Sequence, residues 1–364
     1  MKLGILGGGQ LGRMLALAGY PLGLTTTVLE PAADCSAAQV CRHIPGEFED
    51  YQALYELAKV SDIITFEFEN VPVHAAQWLA ERVPVFPPPR ALEVSQERLA
   101  EKEFFTSLGI PTPPYAVVET AEDFRKALRD IGLPAVLKTR RYGYDGKGQA
   151  VIQTPADAET AWQRLGGRPL ILEGYVPFDR ELSLLAVRSR DGQIACYPLI
   201  ENTHRNGILH RSIAPAADTG EELTERAMDF AARVLTELDY VGVLCIEFFQ
   251  EGPRLLANEM APRVHNSGHW TIEGAYTSQF ENHIRAVCGW PLGRTEAIGS
   301  SVMYNFIGTL PDPLKVLAHR EAHLHLYGKA PRPGRKVGHV TLRVSDRDEL
   351  AAHVAEWDTY FQRP

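Results

Sequence analysis

The chain has 364 residues, of which 45% are apolar and 23% charged, a composition typical of a soluble globular protein with two or three domains. It has no run of 18 apolar residues, which excludes a membrane-spanning helix, and its formal charge of −9 argues against general nucleic-acid binding. The five cysteines are odd in number and scattered, so we expect them to be reduced and the protein to be cytoplasmic.

The first region, residues 1–95, has the pattern of a parallel α/β sheet. Helical spacing of leucine and alanine predicts a helix over Leu11 to Leu22. Apolar runs predict strands over Lys2 to Leu6, Thr25 to Glu30 and Ile63 to Phe68. Because strands that alternate with helices are typical of a parallel sheet, we expect a Rossmann-like domain. The apolar N-terminus is then its first strand and not a signal peptide, and the proline-rich run Pro84 to Pro89 closes the domain.

A glycine-rich turn follows the first strand. The stretch Gly7 to Gly12 fits the Gly-x-Gly-x-x-Gly pattern of a dinucleotide-binding turn, and Glu30 is suitably placed for a ribose hydroxyl. The same turn can hold a substrate phosphate on the N-terminus of the next helix. In a third interpretation the glycines only allow a tight strand-to-helix turn. Because nothing downstream is typical of hydride transfer, we favour a substrate phosphate or ribose.

The central region, residues 96–292, is predicted to contain a mainly antiparallel sheet. A long helix with an acidic first turn is predicted over Gly220 to Leu238. The strands are predicted over Ala135 to Lys138, Ala150 to Gln153, Leu170 to Tyr175, Glu181 to Arg188, Ile194 to Ile200, Val241 to Phe249 and Leu255 to Glu259. The last two strands are close enough in sequence to form a hairpin.

The most informative segment lies between the first two of these strands. It begins at Lys138 and runs through the glycine-rich stretch Gly143 to Gln149, which also contains Lys147. Glycines let a backbone approach a phosphate closely, and lysine supplies a compact positive charge. The spacing differs from the usual phosphate loop, which needs Gly-Lys-Ser/Thr before a helix. We therefore interpret the stretch as a flap over nucleotide phosphates, with a glycine-rich surface hairpin as the alternative.

Two acidic residues stand in apolar strands of the predicted hairpin. Glu247 follows an apolar run that begins at Val243, and Glu259 follows a run that begins at Leu255. A buried carboxylate is costly unless it is paired or coordinated, and two of them suit Mg²⁺ shared with phosphate oxygens. We predict such a site, to which Asn258 would add an oxygen ligand or a hydrogen bond. The alternative is an exposed edge strand with solvated acids, and the sequence leaves the strand register open.

A polar loop from Ala261 to Trp270 follows Glu259 almost directly. Its Arg263 suits bidentate recognition of phosphate or carboxylate, and a solvated loop is the alternative.

The last region, residues 293–364, is predicted to be a small β-rich domain that contains the basic run Arg332 to Lys336.

Taken together, four motifs resemble the ATP-grasp superfamily and, within it, the family of 5-(carboxyamino)imidazole ribonucleotide synthases of purine biosynthesis. They are Gly8 to Met14, Gly143 to Gln149, Asn258 to Trp270 and Arg332 to His339. The resemblance therefore covers almost the whole chain, and the string Ala261 to Trp270 is its most specific part.

The resemblance implies an ATP-grasp fold in three α/β or α+β domains and a carbon–nitrogen ligase activity. The expected cofactors are ATP and Mg²⁺, and the expected substrates are 5-aminoimidazole ribonucleotide and bicarbonate. In such enzymes bicarbonate attacks the γ-phosphate to give carboxyphosphate, and the exocyclic amine of the imidazole captures that species or the CO₂ released from it. The family likeness also suggests a homodimer, with neither nucleic acid nor membrane as a partner.

The resemblance assigns a role to each matching position. The ATP site is expected to consist of Arg98, Lys138, the flap Gly143, Tyr144, Asp145, Gly146, Lys147, Gly148 and Gln149, the adenine hinge Glu173, Gly174, Tyr175 and Val176, and Glu181, His204, Asn258 and Glu259. Tyr144, Asp145 and Lys147 are also expected near bicarbonate, and Glu247 and Glu259 at the metal. The ribonucleotide site is expected to consist of Gln10, Leu11, Glu67, Arg263, His265, Asn266, Lys336 and Arg343, with Glu69 as an alternative to Glu67. Tyr144, Asp145, Lys147, Arg263 and Lys336 are the expected catalytic residues.

Three other functions compete with this hypothesis. The first is a formate-dependent glycinamide ribonucleotide transformylase, which shares the scaffold but would use formyl phosphate. The second is an NAD-dependent dehydrogenase, based on the N-terminal glycines alone. The third is a nucleotide-sensing binding module without catalysis.

Overall fold

The structure, a computed structural model, describes residues 1–143 and 146–362. Within these residues the strands form three sheets, two with four strands and one with nine. No helix in the described part of the chain combines the length and the apolar character that a bilayer crossing would need.

The N-terminal sheet is parallel throughout, which confirms the predicted α/β pattern. Its strands are β1 (Lys2–Leu6), β2 (Thr25–Glu30), β3 (Arg42–Pro45) and β4 (Ile63–Phe66), in the order β3-β2-β1-β4. Its helices are α1 (Gln10–Gly19), α2 (Tyr51–Lys59) and α3 (Val73–Ala80). Helix α1 ends before the predicted Leu22 because Pro21 has no amide hydrogen to continue it.

Two helices lead from this sheet into the central region. They are α4 (Pro89–Ser95) and α5 (Arg98–Ser107). Helix α5 begins where the carboxylate of Glu97 accepts the backbone N–H groups of Leu99 and Ala100, 3.1 Å away in each case. The same carboxylate receives two hydrogen bonds from the Arg140 guanidinium, at 2.7 and 3.0 Å. The start of α5 is therefore fixed to the segment that leads into the flap.

The second four-stranded sheet is antiparallel and carries helices on one face only. Its strands are β5 (Tyr115–Val118), β6 (Ala135–Thr139), β7 (Gln149–Ile152) and β8 (Leu170–Gly174), in the order β5-β8-β6-β7. The helices α6 (Ala121–Ile131) and α7 (Pro155–Leu165) start at capping boxes and cover one face. Ala135 and Leu137 point into that helical core, so Val136 and Lys138 point to the opposite face.

The nine-stranded sheet is antiparallel and is the largest of the three sheets. Its strands are β9 (Arg180–Arg188), β10 (Ile194–Cys196), β11 (Ile200–Arg205), β12 (Ile208–Ala214), β13 (Gly242–Glu251), β14 (Arg254–Ala261), β15 (Ser300–Ile307), β16 (Ala322–Leu326) and β17 (Lys336–Val344). Their order is β14-β13-β9-β11-β12-β15-β17-β16, with β10 paired to β9. The predicted strand over Ile194 to Ile200 is divided because Pro198 cannot donate to a ladder.

The remaining helices pack around this sheet. They are α8 (Gly220–Glu237), α9 (Thr271–Gly274), α10 (Gln279–Cys288), α11 (Pro313–Val316) and α12 (Arg347–Gln362). Strand β15 pairs with β12, β17 pairs with β15, and β16 pairs with β17, so the C-terminal region extends the central sheet. The domain boundaries at residues 95 and 292 stay predictions.

One buried core joins the N-terminal sheet to the large sheet. Met14 and Leu15 of α1 and Ile284 of α10 belong to the same cluster as Leu185 and Trp270. Since all five side chains are buried, the N-terminal domain is held firmly against the large sheet. The cleft described next lies where the three sheets meet.

Candidate active site

A cavity of about 850 Å³ lies between the two antiparallel sheets and the edge of the N-terminal domain. Lys138 and Glu173 line it from the smaller sheet, Glu247 and Glu259 from the large sheet, and Gln10 from the N-terminal domain. A cavity of this size, with charged groups on facing walls, has room for a nucleotide and a second small molecule.

On the smaller sheet, the acid of the predicted adenine hinge, Glu173, is ionised and paired with nearby cations. Lys138 Nζ donates to Glu173 Oε2 at 2.9 Å, and Lys102 Nζ lies 3.5 Å from the same oxygen. Burial opposes the ionisation of Glu173, but the charges of Lys138, Lys102 and Arg98 outweigh it and lower its pKa to about 2. Glu173 Oε1 is buried and has no hydrogen-bond partner, so it remains available as an acceptor. Glu173 is therefore ionised, and three cations surround it, of which Lys138 and Arg98 line the cavity.

On the large sheet, the two predicted metal acids stand directly opposite each other. Glu247 of β13 is the register partner of Glu259 of β14, so both side chains lie on one face, and both line the cavity. Burial and the charge of Glu259 raise the pKa of Glu247 to about 7. Burial also acts on Glu259, but Arg98 Nη1 donates to its Oε2 at 2.9 Å and keeps its pKa below the usual range. The sequence left this arrangement open.

The donor set at these acids fits a hard divalent cation. Asn258 Oδ1 is buried beside Glu259 and has no hydrogen-bond partner, as expected for an oxygen reserved for a ligand. Burial and the charge of Glu259 raise the pKa of Glu247, and a bound cation would offset both effects. Within the described residues, no cluster of three or more His, Cys, Asp or Glu forms a complete metal cage. Mg²⁺ does not need one, because it is usually held by one or two carboxylates plus phosphate oxygens and water.

The first residue of the flap lies close to the predicted metal acids. Arg98 Nη2 donates to the carbonyl of Gly143 at 3.4 Å, so one guanidinium contacts both Glu259 and the flap. Gly143, Gly146, Lys147 and Gln149 line the cavity. The predicted positions Tyr144 and Asp145 lie outside the described residues.

The predicted ribose acid is paired with the predicted histidine. His204 Nδ1 lies 2.7 Å from Glu181 Oε2, and both residues line the cavity. Burial alone would lower the pKa of His204, but the hydrogen bond to Glu181 and the charge of Glu247 raise it above its usual value. Next to them, Phe178 and Phe249 stack with ring centroids 4.9 Å apart and add an apolar patch to the wall.

The polar loop after Glu259 is held rigidly. The side chain of Gln279 accepts the His265 N–H at 2.9 Å and donates to the His265 carbonyl at 2.7 Å. The amide of Asn266 exchanges two hydrogen bonds with that of Asn305, at 2.9 and 2.8 Å. Gln279 and Asn305 are both buried, so they lock the loop in place. His265 lies 3.3 Å from Glu247, and burial and nearby cations keep its pKa well below the usual value, so its imidazole is neutral.

Cations and one acid gather where this loop faces the N-terminal domain. Arg263 is ion-paired with Glu69, and Lys329 is hydrogen-bonded to Gln10. Burial opposes ionisation of Glu69, yet Arg263 brings its pKa below the usual range. The cavity wall continues through Arg332, Arg335 and Lys336. This end of the cleft is suited to an anionic molecule that also carries hydroxyl or amine groups.

The N-terminal glycine turn is already occupied by the protein's own carboxylates. Glu67 accepts the N–H of Gly9 at 2.8 Å and of Gly12 at 3.1 Å, and Glu30 accepts that of Gly8 at 3.0 Å. A carboxylate therefore sits where a phosphate would bind the N-terminus of α1, which fits neither a dinucleotide nor a substrate phosphate at this turn. The third interpretation, a structural turn, agrees with the geometry.

Comparison with known proteins places the chain in a family. The sequence matches the ribonucleotide synthetase preATP-grasp domain over residues 1–96, the ATP-grasp domain over 103–280 and the phosphoribosylaminoimidazole carboxylase C-terminal domain over 301–353. It is 54% identical to the N5-carboxyaminoimidazole ribonucleotide synthase of Pseudomonas aeruginosa over 98% of both chains. This chain belongs to the N5-carboxyaminoimidazole ribonucleotide synthase family.

Solved structures of the family agree with this assignment. The synthetase from Thermus thermophilus superposes with a TM-score of 0.92 at 58% identity, covering 96% of this chain and 95% of that one. The synthase from Aspergillus clavatus, in complex with ADP and 5-aminoimidazole ribonucleotide, gives a TM-score of 0.90 at 32% identity, with 97% and 96% covered. The predicted ATP-grasp fold is thus confirmed.

Most residues predicted from the family resemblance line one cavity. They are Gln10, Leu11, Arg98, Lys138, Gly143, Gly146, Lys147, Gln149, Glu173, Gly174, Tyr175, Val176, Glu181, His204, Glu247, Asn258, Glu259, Arg263, His265, Asn266 and Lys336. Gly148 lies behind this wall, where a side chain would meet Thr139 Oγ1 at 2.5 Å.

Two predicted substrate residues do not lie on the cavity wall. Glu67 is turned towards the glycine amides, and Glu69, two residues on, lines the cavity instead. Arg343 is exposed on β17, where its guanidinium donates to the carbonyl of Glu273 at 3.3 Å. Its neighbours on β17 alternate between the two faces of the sheet, which sequence spacing alone does not orient.

Four residues that the fold brings to the site were not predicted from the sequence. Lys329, Arg332 and Arg335 line the cavity, and Lys102 lies buried behind it. The basic run Arg332 to Lys336 was the only signal for Arg332 and Arg335, and Lys329 lies outside it. Nothing in the sequence singled out Lys102, because its burial depends on the docking of α5 against β14.

Proposed function

We propose that this protein catalyses the ATP-dependent carboxylation of 5-aminoimidazole ribonucleotide by bicarbonate. The products are N5-carboxyaminoimidazole ribonucleotide, ADP and phosphate. The observation that carries the proposal is the single cavity with a cationic wall, a facing pair of acids and a basic far end, in a chain of this family. The ADP and aminoimidazole ribonucleotide named for the Aspergillus clavatus structure support the same pair of ligands here.

We assign the nucleotide to the space between the two antiparallel sheets. Lys138, Arg98 and Lys147 supply positive charge for its phosphates, and the residues from Glu173 to Val176 offer the adenine edge a backbone strand and a carboxylate. Glu181 and His204 are suited to the ribose hydroxyls because they form one hydrogen-bonded pair on the wall. The flap, with Gly143 to Gln149, covers the phosphates.

We assign Mg²⁺ to Glu247 and Glu259, with Asn258 Oδ1 as a further oxygen. When bound, the ion would neutralise charge on the phosphate oxygens of ATP. The orphaned oxygen of Asn258 and the raised pKa of Glu247 are the features of this chain that support the assignment.

We assign the ribonucleotide to the far end of the cavity. Gln10, Leu11, Arg263, His265, Asn266 and Lys336 keep the roles predicted for them, and Glu69 replaces Glu67 as the acid in contact with the substrate. Glu69 is favoured because it faces the cavity and is already charged beside Arg263. Tyr144 and Asp145 stay predicted contacts on the bicarbonate side.

The chemistry requires positioning and exclusion of water more than a protein nucleophile. A bicarbonate oxygen attacks the γ-phosphorus while the bond to the ADP oxygen breaks, which gives carboxyphosphate. The exocyclic amine then attacks the carboxyl carbon, phosphate leaves, and the amine loses a proton. Because carboxyphosphate is labile in water, closure of the flap over the cavity would protect it.

Two alternatives are less well supported. The transformylase would need formyl phosphate, and the family match over the last region is to a carboxylase domain. A dehydrogenase would need the N-terminal glycine turn for a pyrophosphate, but Glu67 and Glu30 already occupy its amides. A homodimer and a cytoplasmic location remain our predictions, the latter supported by the five free cysteines.

The proposal is tested by product analysis with labelled bicarbonate. Purified protein is incubated with ATP, Mg²⁺, 5-aminoimidazole ribonucleotide and ¹³C-bicarbonate, and the product is examined by NMR. We expect label on the exocyclic amino group and ADP formed only when both substrates are present. ADP formation that responds to formate and glycinamide ribonucleotide instead would overturn the proposal.

A further inference from the structure

The strand that carries Glu259 contains a bulge that turns this residue towards the cleft. Glu247 pairs with Glu259, but the next pair is Phe248 with Ala257, so Asn258 is an extra residue in β14. Ala257 packs in the core beneath the sheet. In a regular strand, residues two apart share a face, so Glu259 would point into that core with Ala257. Because of the bulge, Asn258 and Glu259 both line the cavity.

A bulge at the edge of a sheet leaves backbone groups without ladder partners, and helix α5 supplies them. Lys102 Nζ donates to the carbonyl of Asn258 at 2.8 Å and to that of Ala257 at 3.3 Å. The neighbouring Glu101 accepts the N–H of Met260 at 2.7 Å. Side chains of α5 thus hold β14 on both sides of Glu259.

Lys102 reaches these carbonyls from outside the cavity. Its side chain is fully buried and lies behind the wall, where it has no direct contact with the space assigned to ATP. Its ammonium is closer to the Asn258 carbonyl, at 2.8 Å, than to Glu173 Oε2, at 3.5 Å. Glu173 already has Lys138 at 2.9 Å. The shortest bond of Lys102 is therefore the one to the bulge.

We propose that Lys102 is a positioning residue for the metal site, because it holds the Asn258 bulge that aims Asn258 and Glu259 into the cleft. This inference rests on the proposed function. It concerns the geometry of two of the metal's ligands and not the charge of the nucleotide site.

The test uses the full chain with Lys102→Met, which keeps the length of the side chain and removes its donor. Mn²⁺ binding in the presence of ADP is titrated by electron paramagnetic resonance, and ADP binding without metal is measured by calorimetry in EDTA. We expect the apparent Kd for Mn²⁺ to rise by about tenfold or more, as for other residues that support metal ligands. Metal-free ADP binding should change less than about twofold, because Lys138 still holds Glu173.

Three further variants make the result specific. Lys102→Gln keeps one donor and should recover part of the Mn²⁺ affinity, and it carries the test if Lys102→Met does not fold. Glu259→Gln should lose Mn²⁺ binding and marks the full effect. Lys126→Met, at an exposed position on α6, should leave Mn²⁺ affinity unchanged.

Either of two outcomes would overturn the inference. One is a folded Lys102→Met protein with wild-type Mn²⁺ affinity, even if its melting temperature falls. The other is an equal loss of metal-free and metal-dependent ADP binding, which would make Lys102 a charge partner of Glu173. Failure of the wild-type protein to bind ADP at all would instead count against the proposed function.

Discussion

Two glycine-rich loops of this protein have similar compositions and different surroundings. In the turn from Gly7 to Gly12, backbone N–H groups donate to Glu30 and Glu67. Carboxylates from other parts of the protein therefore satisfy the hydrogen-bond donors of this loop. In the flap from Gly143 to Gln149, Gly143, Gly146, Lys147 and Gln149 line a cavity, and Lys147 brings a positive charge to it. Glycine allows close approach to a carboxylate of the protein in the first loop, and we propose that it allows close approach to nucleotide phosphates in the second. The neighbouring charges, rather than the glycines, distinguish the two loops.

The contact between the N-terminal turn and Glu67 explains its glycines. A Cβ at Gly9 would lie 2.6 Å from Glu67 Oε1, and one at Gly7 would lie 2.6 Å from Glu67 Cγ. Gly7 also has a φ of +102°, which disfavours any side chain. A glycine pattern that matches a nucleotide fingerprint is thus accounted for by an internal acid.

The largest expected effect is on the flap. Lys147→Met removes a charge from the cavity wall, so we expect kcat/KM for ATP to fall by about 100-fold with little change in melting temperature. Steady-state kinetics at saturating bicarbonate and aminoimidazole ribonucleotide, with calorimetric melting, measure both. Lys126→Met is the control for a surface lysine. A loss of less than threefold would mean that the flap is no more a phosphate site than the N-terminal turn.

How much of this contrast the sequence predicts depends on the range of the interactions. Lys138 and the flap were predicted because a buried strand and a glycine run are local patterns. Glu67 and Glu69 lie two residues apart around one strand end, and only the packing of the glycine turn against Glu67 separates them. The bulge at Asn258 could not be predicted from the sequence, because it depends on the pairing with β13 and on the contact with Lys102 of α5. The joining of β15 to β12 is likewise a long-range pairing.

A second prediction concerns the charge that surrounds each buried acid. Glu173 has a pKa lowered to about 2, whereas burial raises that of Glu67. An acid with a lowered pKa stabilises the fold above its unfolded pKa of about 4.5 and loses this effect as the pH falls towards 2. We expect Glu173 to contribute up to about 3 kcal/mol across that window.

In the Glu173→Gln variant, stability should therefore fall less steeply than in wild type as the pH is lowered below about 4.5. Melting temperatures at several pH values between about 2.5 and 5 measure the difference from wild type. Glu225→Gln, at an exposed position of α8, controls for the loss of a carboxylate. If the two proteins melt with the same pH dependence, Lys138 and Lys102 do not stabilise the charged form of Glu173, and the cationic wall is weaker than inferred.

The smallest expected effect tests whether the N-terminal turn is purely structural. Glu67→Ala removes the acceptor of two N–H groups, so we expect the free energy of unfolding to fall by about 1–3 kcal/mol, measured by urea titration. The KM for aminoimidazole ribonucleotide should stay within about twofold, because Glu69 and not Glu67 faces the cavity. Glu47→Ala, at an exposed position, is the matched control. A large rise in that KM without loss of stability would restore Glu67 as the substrate ligand and make the two glycine loops alike in function.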